Sequence, residues 1–138
     1  MARNLALYEK KILKDQEFPI QLIVNKCDNK GRYFKVHWHE QIELHYVVRG
    51  QTMIRLEQEE LKAKEGDLVI ANSNVLHEGY CVGGLMEILV AIFDMEAFSK
   101  EFADKNIIFC PIISGDSEIS KLMLHIYEEY QKKEIGYR

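Results

Sequence analysis

Four of the five histidines fall between residues 37 and 77, and three of them, His37, His39 and His45, share a nine-residue window. His37 and His39 are two apart, so on an extended strand their imidazoles project to one side, and Glu43 keeps that parity. Two imidazoles and a carboxylate on one wall, joined by His77 from another strand, make a donor set for a divalent first-row ion: Zn, Ni, Fe, Cu or Mn. The same four groups could instead hydrogen-bond to a polar organic ligand or to each other. His45 and His125 read as structural or solvent-facing, and Glu40 as a substitute ligand if the register slips. Trp38, Tyr46 and Tyr80 could line a pocket or simply fill core, and Cys81 could approach the site or pack inertly. Nucleophilic catalysis has no support, since neither GxSxG nor a glycine-rich phosphate loop occurs.

These residues need strands to position them. From Pro19 to Asp94 short apolar runs alternate with turn residues, and the spacing predicts strands near 20–24, 33–38, 42–48, 52–56, 60–64, 67–71, 75–80 and 85–94. Asp28-Asn29-Lys30-Gly31, Arg49-Gly50, Glu65-Gly66-Asp67, Asn72-Ser73-Asn74 and Gly83-Gly84 supply the turns. The pattern is that of an antiparallel barrel or sandwich. It also poses a conflict. Trp38, Ile42, Leu44, Tyr46 and Val48 share a face, and an apolar face normally claims the interior, which would turn His37, His39 and Glu43 outward. A bend or bulge at Glu40-Gln41 would resolve it.

Around the strands the period changes to helical. Leu5, Tyr8, Ile12 and Leu13 suggest an amphipathic arm over residues 1–17, and Met95, Phe98 and Phe102 a short helix. An extended stretch from Ile107 to Ile113 is broken by Pro111. Gly115-Asp116-Ser117 offers an N-cap, after which Ile119, Leu122, Met123, Ile126, Tyr127 and Tyr130 form a stripe at helical spacing. That stripe suits either packing on the barrel or contact with a second subunit.

The 138 residues make one domain, with 18 Lys plus Arg against 22 Asp plus Glu and a net charge of −4. That balance lacks the basic footprint of nucleic-acid binding. No apolar run is long enough for a membrane helix and no signal-peptide core is present, so a cytoplasmic location without a membrane partner is expected. Cys27, Cys81 and Cys110 form no CxxC pair, which supports neither a disulfide framework nor a zinc knuckle.

The spacing Gly31, His37, His39, Glu43, Gly50 reproduces the first motif of the cupin superfamily. The second motif is partial: Gly66 and His77 are in register, but Asn72 stands where proline is usual, Asn74 where glycine is usual, and Cys81 where asparagine is usual. Within cupins, HWHE at 37–40, ELHYVVRG at 43–50, KEGDLVI at 64–70 and NVLH at 74–77 resemble the N-terminal effector domain of AraC-type transcription regulators. The resemblance covers about residues 18–135. It implies a mainly β fold, a cupin double-stranded β-helix or jelly-roll barrel over 18–94, followed by C-terminal α-helices over 95–138 used for dimerisation through the Ile119–Tyr130 stripe. It implies DNA contact only through a helix-turn-helix unit C-terminal to Arg138, a homodimer, and a small-molecule effector such as a sugar bound near His37, His39, Glu43 and His77. No cofactor is required under that reading, with a divalent metal (Zn, Ni, Fe or Mn) on the same four residues as the alternative occupant. The competing function is a small metal-dependent cupin enzyme of dioxygenase or isomerase type.

Overall fold

The computed structural model describes residues 20–94 and 109–134. The arm over 1–17 and the short helix expected around Met95, Phe98 and Phe102 lie outside these residues. The described strands are β1 (Ile20–Cys27), β2 (Gly31–His37), β3 (Ile42–Arg49), β4 (Gln51–Leu56), β5 (Glu59–Lys64), β6 (Leu68–Ala71), β7 (His77–Cys81), β8 (Met86–Phe93) and β9 (Ile112–Ile113), followed by helix α1 (Ser117–Glu134). The eight strands expected before Asp94 are all present, with ends shifted by a few residues. They form two antiparallel sheets, one ordered β1-β8-β3-β6-β9 and the other β2-β7-β4-β5.

Between the sheets lies the barrel interior, filled by Val47, Ile54, Leu56, Val69, Met86, Ile88, Val90 and Ile92. A second apolar layer covers the outer face of the five-stranded sheet. There Ile42, Tyr46, Val48, Leu68, Ile70 and Leu89 pack with Met123, flanked by Leu44, Ile119, Ile126 and Tyr127. This layer settles the conflict on β3, though not by the interior claiming the apolar face. Ile42, Leu44, Tyr46 and Val48 do share a face, but α1 covers it, which leaves Glu43, His45 and Val47 for the interior. Tyr46 is therefore beneath the helix and not in a barrel pocket.

Local chemistry fixes the ends of these elements. Asp116 Oδ1 accepts the backbone N–H groups of Glu118 and Ile119 at 3.0 Å each, which caps α1 as its Gly-Asp-Ser start suggests. Gly50 turns β3 into β4 at φ +80°, and a Cβ there would lie 2.1 Å from the Leu85 carbonyl oxygen, so backbone approach alone demands glycine. Glu87 on β8 is buried against the helix; the Tyr127 hydroxyl donates to it, with Lys26 Nζ and Arg49 Nε at 3.8 and 3.7 Å.

Candidate metal centre

Both sheets contribute to one cluster inside the barrel. His37 ends β2 and His77 begins β7, and the two are paired across the four-stranded sheet. His39 sits in the bend between β2 and β3, the break expected at Glu40-Gln41, and Glu43 is the second residue of β3 in the other sheet. One donor atom from each lies within 4.8 Å of every other. Glu43 Oε2 is the hub, at 2.6 Å from His39 Nε2, 3.0 Å from His77 Nε2 and 4.0 Å from His37 Nε2. His39, Glu43 and His77 are buried, whereas the His37 side chain is 15% exposed, so the cluster meets solvent on the His37 side.

The far side of each buried ring decides what Nε2 can do. His39 Nδ1 donates to the Gln41 carbonyl at 3.0 Å and His77 Nδ1 to the Val75 carbonyl at 2.8 Å. With the ring proton on Nδ1, a neutral imidazole presents an Nε2 lone pair to Glu43 Oε2. Two lone pairs facing one carboxylate oxygen repel, unless extra protons or a cation stand between them. Burial by itself would raise the Glu43 pKa; when the extra protons are present, hydrogen bonds donated by His39, His45 and His77 outweigh it and hold the carboxyl well below the usual carboxylate range. An ionised carboxylate and lone pairs fixed by backbone carbonyls are the donor set and outer support that first-row cations use. The residues therefore fit a divalent ion held by His37, His39, Glu43 and His77.

Irregularities in β2 aim the aromatic lining. Register breaks between Arg32 and Phe34, and again between Phe34 and His37, change parity twice and let Phe34 and His37 face the same site. Phe34 stacks on His45 at 5.3 Å between ring centroids and lies 5.7 Å from His37 and 5.6 Å from His77. Gly79, paired with Phe34, makes room: a Cβ there would be 2.2 Å from Phe34 Cε1 and 2.6 Å from Tyr33. Neither the bulges nor the role of Gly79 was visible in the sequence, because Arg32 to His37 mixes polar and apolar residues in both alternating sets and so marks no register break.

The departures from the second motif have local explanations. Asn74 adopts φ +65°, a left-handed conformation that asparagine tolerates better than most residues, so it can stand where glycine is usual. Its N–H donates to the His39 carbonyl at 2.8 Å, tying this turn to the site. Asn72 uses its whole side chain on Phe109, accepting from its N–H at 2.8 Å and donating to its carbonyl at 3.0 Å. Cys81 is buried, its Sγ directed at the Gly84 carbonyl at 3.8 Å, and it does not join the donor group. Glu40 is exposed at the bend and does not join it either, while Tyr80 donates to Glu78 at 2.8 Å.

His45 is the site residue that sequence reading undervalued. It is buried, its Nε2 3.0 Å from Glu43 Oε1, and so it is not solvent-facing. The signal was its two-residue offset from Glu43, which puts both on one face of β3. The stripe on α1 divides: Met123 is buried and Ile119, Ile126 and Tyr127 pack on the molecule's own sheet, whereas Leu122 is 59% exposed.

Two antiparallel sheets enclosing a His/Glu cluster define a cupin barrel, and solved structures agree on the fold. An RmlC-like cupin from Shewanella frigidimarina superposes with a TM-score of 0.50 at 18% identity, covering 59% of this chain and 72% of that one. A mutant of Bacillus subtilis oxalate decarboxylase gives 0.50 at 20% identity, over 55% of this chain and 21% of the other. More narrowly, residues 26–138 match the family described as the AraC-like ligand binding domain, and the chain belongs to that family. An uncharacterised HTH-type transcriptional regulator of Bacillus subtilis, YdeC, is 31% identical over 49 residues, which is 36% of this chain and 17% of that protein. The matched segment thus spans about a sixth of the regulator.

Proposed function

We propose that this domain senses a small molecule for a transcription regulator, with a divalent ion on His37, His39, Glu43 and His77 as the recognition centre. The observation that carries the reading is the convergence of four donors from both sheets, with the His39 and His77 Nε2 lone pairs fixed inward by the Gln41 and Val75 carbonyls. An ion held there would act as a Lewis acid, offering its open positions to an oxygen-bearing effector. His37, the partly exposed donor, marks the side from which such a molecule enters. The effector class is small and polar, sugars and carboxylates included.

Transmission runs through β3. Its inward residues Glu43 and His45 belong to the site, and its outward residues Ile42, Tyr46 and Val48 pack with Met123 of α1. A ligand that draws Glu43 to one of two positions would bias the helix, and differential affinity of that kind is what couples two sites. In this reading a homodimer forms through the outward side of α1, where Leu122 is exposed, and DNA is gripped by a helix-turn-helix unit outside this chain, in the cytoplasm. The chain's net charge of −4 accords with a sensor that leaves the phosphate contacts to another unit.

The second reading, a metal-dependent cupin enzyme, draws on the same four donors and on the likeness of fold to oxalate decarboxylase. One experiment separates them. Thermal unfolding is followed in the presence of a panel of sugars and small carboxylates, using wild type and His39→Ala, and every stabilising compound is recovered and weighed by mass spectrometry. Stabilisation of wild type alone, with the compound recovered unchanged, supports sensing; a compound recovered chemically altered supports the enzyme; equal stabilisation of His39→Ala contradicts both.

A further inference from the structure

His45 touches the cluster at its one carboxylate without belonging to the donor set. Its ring is 1% exposed and stacks on Phe34 with the planes 24° apart. Its Nε2 is 3.0 Å from Glu43 Oε1, whereas His39 and His77 both address Oε2. Neither ring nitrogen makes a well-directed hydrogen bond, and Nδ1 has no partner among the described residues. A buried N–H with nothing to accept it is costly, more so than a buried lone pair beside apolar neighbours. The proton of a neutral His45 ring therefore belongs on Nε2, facing Glu43. That is the tautomer opposite to the one that the Gln41 and Val75 carbonyls impose on His39 and His77.

We infer that His45 is a positioning residue, whose Nε2–H holds Glu43 Oε1 so that Oε2 alone is left to the ion. The inference rests on the reading that the cluster binds a divalent cation. The close but poorly directed contact acts mainly by electrostatics, which the apolar barrel interior strengthens. Two imidazoles thus turn lone pairs toward the carboxylate's inner oxygen and a third turns a proton toward its outer one. Outer groups that orient a ligating carboxylate are typically worth about 10–100-fold in metal affinity.

The test is Co²⁺ titration of the purified chain, read both as affinity and as the visible d–d spectrum of the bound ion. His45→Gln keeps an N–H at similar reach, and His45→Leu has similar bulk without one. The expected result is near-wild-type affinity and spectrum for His45→Gln, and for His45→Leu an affinity lower by about 10–100-fold with an altered d–d band, as Glu43 becomes free to offer both oxygens. Far-UV circular dichroism of the metal-free variants checks the fold, and His45→Phe, which keeps the ring against Phe34, replaces the Leu variant if that does not fold. Equal binding and spectra for all variants would overturn the inference, as would equal losses for Gln and Leu, which would reduce His45 to packing. A wild type that binds no Co²⁺ would remove the cation reading and this inference with it, an outcome distinct from either.

Discussion

Along β8 seven of eight residues are buried, whereas along β5 Ala63 is the only buried residue, and the contrast extends to the two sheets they belong to. The five-stranded sheet is covered on one side by the barrel interior and on the other by α1. The outward side of the four-stranded sheet carries instead a charged ladder, with Arg55 3.1 Å from Glu78 and 2.7 Å from Glu60. Glu43 and His45 ride on the doubly covered sheet, and His37 and His77 on the singly covered one. The carboxylate hub is thus set in the better packed wall, while the partly exposed donor stands in the wall that meets solvent. Substitutions in the two walls should behave differently.

The largest effect is expected beneath the helix. Met123→Ala should destabilise the domain by about 2–5 kcal/mol, as large-to-small changes in well-packed cores do, and chemical denaturation would measure it. A cost below about 1 kcal/mol would mean that α1 is only loosely seated and that the contrast between the sheets is overstated. In the thinner wall, Gly79→Ala should cost about 1–3 kcal/mol through overpacking against Phe34 and Tyr33. Because Phe34 touches three of the site's imidazoles, the same variant should also weaken metal binding, which calorimetry with Zn²⁺ would detect.

Tyr127→Phe removes the hydroxyl that donates to buried Glu87 and should cost on the order of 1 kcal/mol. Burial first, then the Glu87 carboxylate, raise the Tyr127 pKa, so its contribution is present below the ordinary tyrosine value of about 10 and is lost as pH rises through the raised one. Wild type and Tyr127→Phe should accordingly converge in stability at strongly alkaline pH. Leu122→Asp, one position from Met123 but on the exposed side, should change monomer stability by less than about 0.5 kcal/mol. If the helix joins two copies through that side, sedimentation will show Leu122→Asp as monomer where wild type is dimer; wild type that is itself monomeric would remove the dimer from the account.

The sheet-forming stretches were legible because turn residues punctuate them, and the cap at Asp116 because its chemistry is local. The four cluster residues were picked out by their motif spacing and not by a shared strand, since His37 ends β2, His39 lies in the bend, Glu43 is on β3 of the other sheet and His77 begins β7. What alternation could not tell was which side of β3 faces inward. Ile42, Leu44, Tyr46 and Val48 look like an interior row, and only the placement of α1, a contact distant in sequence, reveals a second apolar layer. The same blindness hid His45, which lies inward because Glu43 does. The bulges in β2 were hidden for another reason: Tyr33 and Phe34 are both apolar, so the extra residue between Arg32 and Phe34 leaves no mark in the pattern.

On the reading proposed above, His37, His39, Glu43 and His77 hold a divalent cation within the barrel. Elemental analysis of protein purified without added metal, beside Glu43→Gln prepared identically, tests it most directly. Close to one divalent ion per chain is expected in wild type and a small fraction of that in Glu43→Gln, since a ligand should matter more than the about 10–100-fold of its supporting groups. Wild type carrying less than about 0.1 ion per chain, and failing to take up Zn²⁺, Ni²⁺, Fe²⁺ or Mn²⁺ on dialysis, would contradict it.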